Sequence, residues 1–339
     1  MRALVCTRPG KLDYAEVADP ELKKGHAIVR IRNICVCGTD LHAYEGTQPF
    51  FNYPRILGHE LSGELMEFDG APGFQKGESV TFLPYLNCGT CIACRNGKTN
   101  CCTTLKVCGV HVDGGMVDYF SIPSSLLVHA PGLNMTELAM VEPLSIGAHG
   151  ISRAAIRPGE FVLVVGAGPI GLAAMEFARL QGAEIIAMDT NAHRLNFCKT
   201  QLGVSHIIRA GEANIMEQLA DITHGEMPTV VIDASGNQKA INNGLNYLAH
   251  GGKYILIGLQ KGELIFSHPE FHKKEATLMS SRNATREDFE GVIEKIQKRI
   301  INPLSFITNR VKFKDAAAGF PDWLTPSGNI IKVVVENDE

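Results

Sequence analysis

The chain has 339 residues, 45% of them hydrophobic and 20% charged, with a formal net charge of -4. This balance excludes a disordered or fibrous protein, and the length suits two domains that each bury a core. No basic block offers an electrostatic footprint, so neither nucleic acid nor a membrane surface is expected as a partner. The opening MRALVCTRPGKLDYAEV lacks the apolar core of a secretory signal, and the most apolar stretch, 161–175, is shorter than a spanning helix and cut by glycines. A soluble, cytoplasmic protein is expected. Four of its ten cysteines crowd together at Cys-x-x-Cys spacing, which in that setting points to metal more than to cross-links.

Residues 1–145 read as a β-rich domain of short strands, such as 26–32 (HAIVRIR) and 78–84 (ESVTFLP), joined by long loops. Those loops hold most of the Cys, His and acidic residues. Within them Cys37 opens Cys-Gly-Thr-Asp, His59 and Glu60 lie in Gly-His-Glu, and Glu142 lies in Val-Glu-Pro. One thiolate, one imidazole and one or two carboxylates can hold Zn²⁺ with a position left open. Taken singly, each of these residues is better explained by a structural role.

Between them, Cys88, Cys91, Cys94 and Cys102 give C-x2-C-x2-C-x7-C. Four thiolates close a tetrahedral shell and suit a structural zinc, although an iron–sulfur cluster takes the same donors. Cys101, beside Cys102, is an alternative fourth ligand.

The pattern changes in residues 146–283. The apolar run 161–165 predicts a strand buried on both faces, followed by a helical pattern through Leu180 and a second strand at 184–188. Further strands are expected at 230–233 and 254–257, and repeated strand–helix alternation implies a doubly wound parallel α/β sheet. Gly166, Gly168 and Gly171 form G-x-G-x-x-G after the first strand, with Pro169 and Ile170 opening the helix. These glycines permit a tight turn and close approach of a pyrophosphate, and the helix N-terminus supplies N–H groups and positive charge. Asp189 ends the second strand, where a carboxylate binds the adenosine ribose and repels the extra phosphate of NADP. Arg194 nearby is the residue type that would accept that phosphate. NAD is the expected cofactor. The segment ATLMSS then leads to Arg282 and Asn283. Arg282 is either an ordinary surface residue or a fork for a carboxylate or phosphate. In the tail, 284–339, Phe289, Val292, Ile293, Ile296 and Ile300 recur at helical spacing, and a last strand is expected at 329–335.

The runs CGTDLH, GHE, the four-cysteine loop, GVHVDGG, VEP and GAGPIG resemble, in this order and over nearly the whole chain, the medium-chain zinc alcohol dehydrogenases. GTQPFF, YPRILGHE, FHKKEATLMSSRNATREDF and IDASGNQKAINN are most similar to the polyol, threonine and sugar-acid branch, in particular to bacterial L-galactonate (hexonate) dehydrogenases. The resemblance implies a GroES-like catalytic domain (1–145), a Rossmann NAD-binding domain (146–283) and a tail that rejoins the first. It implies one structural and one catalytic zinc, the latter on Cys37, His59 and either Glu60 or Glu142. Asp40 would orient His59; Thr39 would sit beside the reacting oxygen and begin a proton relay that His42 continues toward solvent. Cys35 departs from the glycine that relatives commonly carry there. Hydride transfer from a secondary alcohol of a small polyhydroxylated substrate to NAD is the implied reaction, in a homodimer or homotetramer whose sheet is extended at an edge, 254–259. A sugar acid such as L-galactonate is the expected substrate; L-threonine, a plain polyol, or a non-enzymatic NAD-binding regulator are the alternatives.

Overall fold

The computed structural model describes residues 1–325 and 329–338. Two compact units emerge, one from Met1–Pro143 with Thr285–Glu339, the other from Leu144–Ala284.

In the first unit the long strand His26–Cys35 pairs with Glu60–Phe68 on one side and with the tail strand Lys332–Glu336 on the other, both antiparallel. Its inward residues Ala27, Val29 and Ile31 are fully buried, as alternation along HAIVRIR requires. The sheet continues outward through Ser79–Phe82 and Leu127–Val128 at one edge and through Ile307–Lys312 at the other. A smaller sheet orders Lys11–Glu16, Arg2–Arg8 and Arg55–Ile56. Buried Phe82, Phe289, Phe306 and Phe320 anchor this core, each contributing about 1.5–3 kcal/mol by leaving water. The helix Arg286–Gln297 places Phe289, Val292, Ile293 and Ile296 inward as the spacing predicts. Ile300 does not follow: the helix has ended, Arg299 turns the chain with φ 57°, and Ile300 is exposed.

The second unit is a six-stranded, all-parallel sheet. Its strands are Phe161–Val165, Glu184–Asp189, His206–Arg209, Val230–Asp233, Lys253–Leu256 and Thr277–Ser280. Taken as first to sixth, they lie in the order 3-2-1-4-5-6, the doubly wound dinucleotide-binding arrangement. Leu163, Val165, Ile186, Met188, Val231 and Tyr254 form the core of the unit. The apolar runs are continuous because both faces of a parallel sheet are covered. One expectation fails here. Residues 254–259 do not supply an edge: Lys253–Leu256 lies between Val230–Asp233 and Thr277–Ser280, and its apolar Tyr254 and Ile255 are buried. The edges of this sheet are His206–Arg209 and Thr277–Ser280.

The first strand of the chain is tied to the tail through Asp118. Its carboxylate accepts from Arg2 N at 2.7 Å and Arg2 Nη2 at 2.8 Å, and Asn337 Nδ2 donates to it at 3.4 Å. Burial pushes the Asp118 carboxyl up, but the Arg2 and Asn337 hydrogen bonds outweigh burial and hold it below its ordinary 3.8. A depressed carboxyl stabilises the fold above its unfolded pKa and ceases to do so as pH falls through the folded value. Asp118→Asn should therefore lower stability by about 1 kcal/mol at neutral pH, a modest figure because the pair is partly exposed. Urea titrations of both proteins should show that gap hold at pH 5–7 and close as the solution becomes more acid than the ordinary carboxylate pKa. A gap independent of pH would show that the charge is not what Asp118 contributes.

Candidate active site

Cys37 caps the helix Gly38–Glu45, and Asp40 in its first turn accepts from Cys37 N at 2.9 Å with Oδ2. The other oxygen of Asp40 accepts from Gly58 N at 3.1 Å and lies 3.8 Å from His59 Nδ1. Asp40 thus stitches the Cys-Gly-Thr-Asp helix to the Gly-His-Glu turn. GVHVDGG closes the back of that turn: a Cβ on Gly114 would lie 2.3 Å from Gly58 O, so only glycine lets the two backbones meet. Glu60 opens the strand Glu60–Phe68 directly across from Cys35.

The outcome is a buried group in which donor atoms of Cys37, His59 and Glu60 lie within 4.8 Å of one another. Glu142, in the first turn of the helix Val141–Ala154, lies outside that group; it is buried and interacts electrostatically with both His59 and Glu60. Burial alone would push the His59 imidazole down; Cys37 and Asp40 beside it drive it well up instead. Burial pushes Glu142 up to about 7, with His59 opposing and Glu60 reinforcing the shift. Cys37, Asp40, Glu60 and Glu142 together surround one imidazole with more negative charge than a dry interior tolerates. His59 Nδ1 meanwhile has no hydrogen-bond partner among the described residues. A thiolate, an imidazole and carboxylates converging in an anionic, buried pocket fit a divalent cation of zinc's character.

Two residues of this pocket carry no motif in the sequence. Lys332 Nζ, on the tail strand, donates to Glu60 Oε1 at 2.6 Å and to Val36 O at 3.1 Å. Burial presses the Lys332 ammonium to lose its proton, but Glu60 and Cys37 beside it hold its pKa above the ordinary value. Tyr85 donates its hydroxyl proton to Glu142 Oε1. Burial and the Glu142 carboxylate push that phenol well up, so it stays a donor.

Thr39, half-buried, and His42 lie three residues apart on the Cys37 helix, hence on one face of it. His42 points outward and shares a hydrogen bond of 3.1 Å with Thr47 Oγ1, with Glu45 3.7 Å away.

Cys88, Cys91, Cys94 and Cys102 form the second donor group, again within 4.8 Å. Backbone N–H groups of Cys88, Cys91 and Cys94 point at the sulfurs of Cys102, Cys88 and Cys91, at 3.3, 3.3 and 3.5 Å. Hydrogen bonds led by Thr90 N–H bring the Cys88 thiol down to about 5, and those led by Cys94 N–H bring Cys91 to about 7. Burial pushes the Cys94 thiol the other way, up to about 12, so the four sulfurs would ionise together only with a cation among them, and four such donors leave no open position. Cys102 is buried in the group, while Cys101 is exposed and lies outside it.

In the parallel unit Gly166 turns with φ 99°, and a Cβ on Gly171 would fall 1.8 Å from Gly166 O. Gly168 caps the helix Pro169–Leu180 without a capping side chain, with Pro169 and Ile170 in the first turn. Among the described residues, the one atom within 4 Å of a Cβ placed on Gly168 is Arg194 Nη1, at 3.7 Å. This is the cradle a pyrophosphate needs. Asp189 ends the neighbouring strand; it accepts from Ala167 N at 2.6 Å and Asn191 N at 2.7 Å. Arg282 lies exposed just past the edge strand Thr277–Ser280, and Asn283 follows with φ 52°.

Known proteins bear the same two signatures. Residues 23–132 match the alcohol dehydrogenase GroES-like domain, and residues 169–298 match the zinc-binding dehydrogenase domain. The chain is 41% identical to L-galactonate-5-dehydrogenase of Escherichia coli K12, over 99% of this chain and 98% of that protein. It is 31% identical to sorbitol dehydrogenase of Halalkalibacterium halodurans, over 99% of each. Among solved structures, RspB of Escherichia coli CFT073 complexed with NADH superposes with a TM-score of 0.93 at 28% identity, covering 99% of both chains. The protein belongs to the zinc-type medium-chain alcohol dehydrogenase family, and its two units are a GroES-like domain and a Rossmann domain. It is an oxidoreductase that uses zinc and a nicotinamide dinucleotide.

The Glu60–Lys332 pair gives the pocket a direct stability test. Removing one partner of a buried ion pair leaves the other uncompensated, at a cost of about 3–5 kcal/mol. Lys332→Met should lower the unfolding free energy of metal-free protein by about that amount, and adding Glu60→Gln should recover more than half of it. A single variant as stable as wild type in urea would mean that Glu60 takes up a proton once its cation is gone.

Proposed function

We propose that the protein oxidises a secondary hydroxyl of a sugar acid, L-galactonate or a close aldonate, with NAD as acceptor. The observation that carries the substrate class is the 41% identity, over nearly the full length, to an L-galactonate-5-dehydrogenase. Similarity to a sorbitol dehydrogenase keeps a plain polyol as the second reading.

Cys37 and His59, with Glu60 or Glu142, would hold the catalytic zinc, and Cys88, Cys91, Cys94 and Cys102 the structural one. When bound, zinc supplies a Lewis acid that stabilises negative charge on an alcohol oxygen at neutral pH, and the nicotinamide supplies a hydride acceptor. Asp40, with Oδ1 3.8 Å from His59 Nδ1, would orient the ring through its charge, without a direct hydrogen bond. Thr39 takes the hydroxyl proton, and His42, exposed and hydrogen-bonded to Thr47, passes it toward solvent. Gly166, Gly168, Pro169, Ile170 and Gly171 present backbone N–H groups to the pyrophosphate. Asp189 would accept from the adenosine ribose and disfavour a phosphate there, while Arg194, whose Nη1 lies beside Gly168, would meet that end of the cofactor. Arg282 is proposed to meet a cofactor phosphate or the substrate carboxylate.

We further read the protein as a cytoplasmic homodimer or homotetramer. Among the described residues no helix is long and apolar enough to cross a membrane. Leu259, Leu264, Ile265 and Phe266 expose apolar surface within one short stretch, as a subunit contact would use.

Absorbance of NADH at 340 nm, followed over hexonates, polyols and L-threonine with and without a zinc chelator, tests the reading. Chelator-sensitive turnover of L-galactonate or a near aldonate is expected. Turnover confined to a polyol or threonine would discard the sugar-acid assignment and keep the chemistry. Thr39→Val should retain zinc and NADH binding while lowering kcat by about 10²-fold or more; unchanged kcat would remove Thr39 from the relay.

A further inference from the structure

The two carboxylates beside Cys37 and His59 are tethered unequally. Glu60 is gripped by a cation: Lys332 donates to Oε1 at 2.6 Å and also forms an ion pair with Oε2. Both partners are essentially inaccessible to water, with side-chain exposures of 0% for Glu60 and 1% for Lys332. Among the described residues Glu142 is held through Oε1, by the neutral Tyr85 hydroxyl. The phenol itself is fixed by packing. Tyr85 is buried in the short strand Tyr85–Leu86, which pairs with Lys106–Val107, and its ring meets Phe289 edge-on with centroids 6.3 Å apart.

These restraints have different consequences for a metal ion. Binding through Glu60 draws charge away from Lys332, leaving a buried ammonium poorly compensated. Binding through the second oxygen of Glu142 leaves the Tyr85 hydrogen bond on the first intact. Hydrogen bonds from an outer partner to a ligating carboxylate are also what fixes its orientation and strengthens the site.

We propose that Tyr85 is a positioning residue for the catalytic metal: it presents Glu142 as the carboxylate that binds the ion and can leave it, while Lys332 holds Glu60 in reserve. This rests on Cys37 and His59 being ligands, so the test must separate the two readings. Three variants, Tyr85→Phe, Glu142→Gln and the double, are prepared alongside Cys37→Ser, with Co²⁺ replacing Zn²⁺ in the chelator-labile site. The visible cobalt spectrum, the rate of metal loss to a chelator and the melting temperature are recorded.

Tyr85→Phe is expected to shift the cobalt bands and to speed metal loss by about 10–100-fold, with little change in melting temperature. Glu142→Gln should shift the same bands, and adding Tyr85→Phe to it should change the release rate no further. A Tyr85→Phe protein with the wild-type spectrum and release rate overturns the inference while Cys37→Ser loses one metal per chain. So does an equal effect of Tyr85→Phe in the Glu142→Gln background, because Tyr85 would then act elsewhere. Should Tyr85→Phe fold poorly, Glu142→Gln alone decides, since unshifted cobalt bands would remove Glu142 from the metal. A Cys37→Ser protein that keeps its full metal content would instead overturn the ligand assignment, and this inference with it.

Discussion

Negative charge held away from water is the constraint around which the catalytic unit is organised. Cys37, Asp40, Glu60 and Glu142 converge on His59 in a buried pocket, and Lys332 is the only lysine or arginine among the buried described residues. One ammonium does not balance three carboxylates and a thiol that must ionise to bind metal. The fold resolves this with structure at every point. Asp40 is neutralised by backbone N–H groups of Cys37 and Gly58, Glu60 by Lys332, Glu142 by a phenol. What these partners leave uncompensated is drawn toward the thiol and imidazole, and a dication placed there completes the pocket.

This explains why the tail matters to a site built from residues 37–142. The strand Lys332–Glu336 is the neighbour of His26–Cys35 and places Lys332 against Glu60, 272 positions away in the chain. The same tail carries Asn337 to the Arg2–Asp118 pair. Chain topology therefore delivers the counter-charge. The parallel unit works by another principle, since its candidate contacts to phosphate come from backbone exposed by glycine, with few side chains involved.

That difference decides what could be read in advance. A backbone site is local: Gly166, Gly168 and Gly171 must follow a strand and open a helix, and both neighbours announce themselves by apolar pattern. The strand Phe161–Val165 and the helix to Leu180 fall where periodicity places them. The four-cysteine loop is local too, and its spacing foretells which sulfurs converge; burial then separates Cys102 from Cys101. Cys37, His59 and Glu60 attract notice through short motifs, but their convergence depends on strand pairing across 25 residues and more. Tyr85 and Lys332 announce nothing, because a tyrosine before a loop and a lysine before VVV look like an ordinary turn and a solvated strand end. Pattern also misleads at residues 254–259, where an apolar strand is equally compatible with an edge and with the middle of a sheet. Neighbours, which periodicity does not encode, choose between them.

A buried ion pair such as Glu60–Lys332 is a poor source of stability, since apolar residues of the same volume often do as well or better. Its retention in a catalytic pocket makes sense if it serves the metal. Burial pushes the Glu60 carboxyl up and Lys332 opposes that shift, so the ammonium favours the charged form that a cation in this pocket would need. The stability forgone in burying Glu60 and Lys332 is then linked to metal occupancy: a bound cation stabilises the anionic pocket, and the folded catalytic unit and the loaded site reinforce each other.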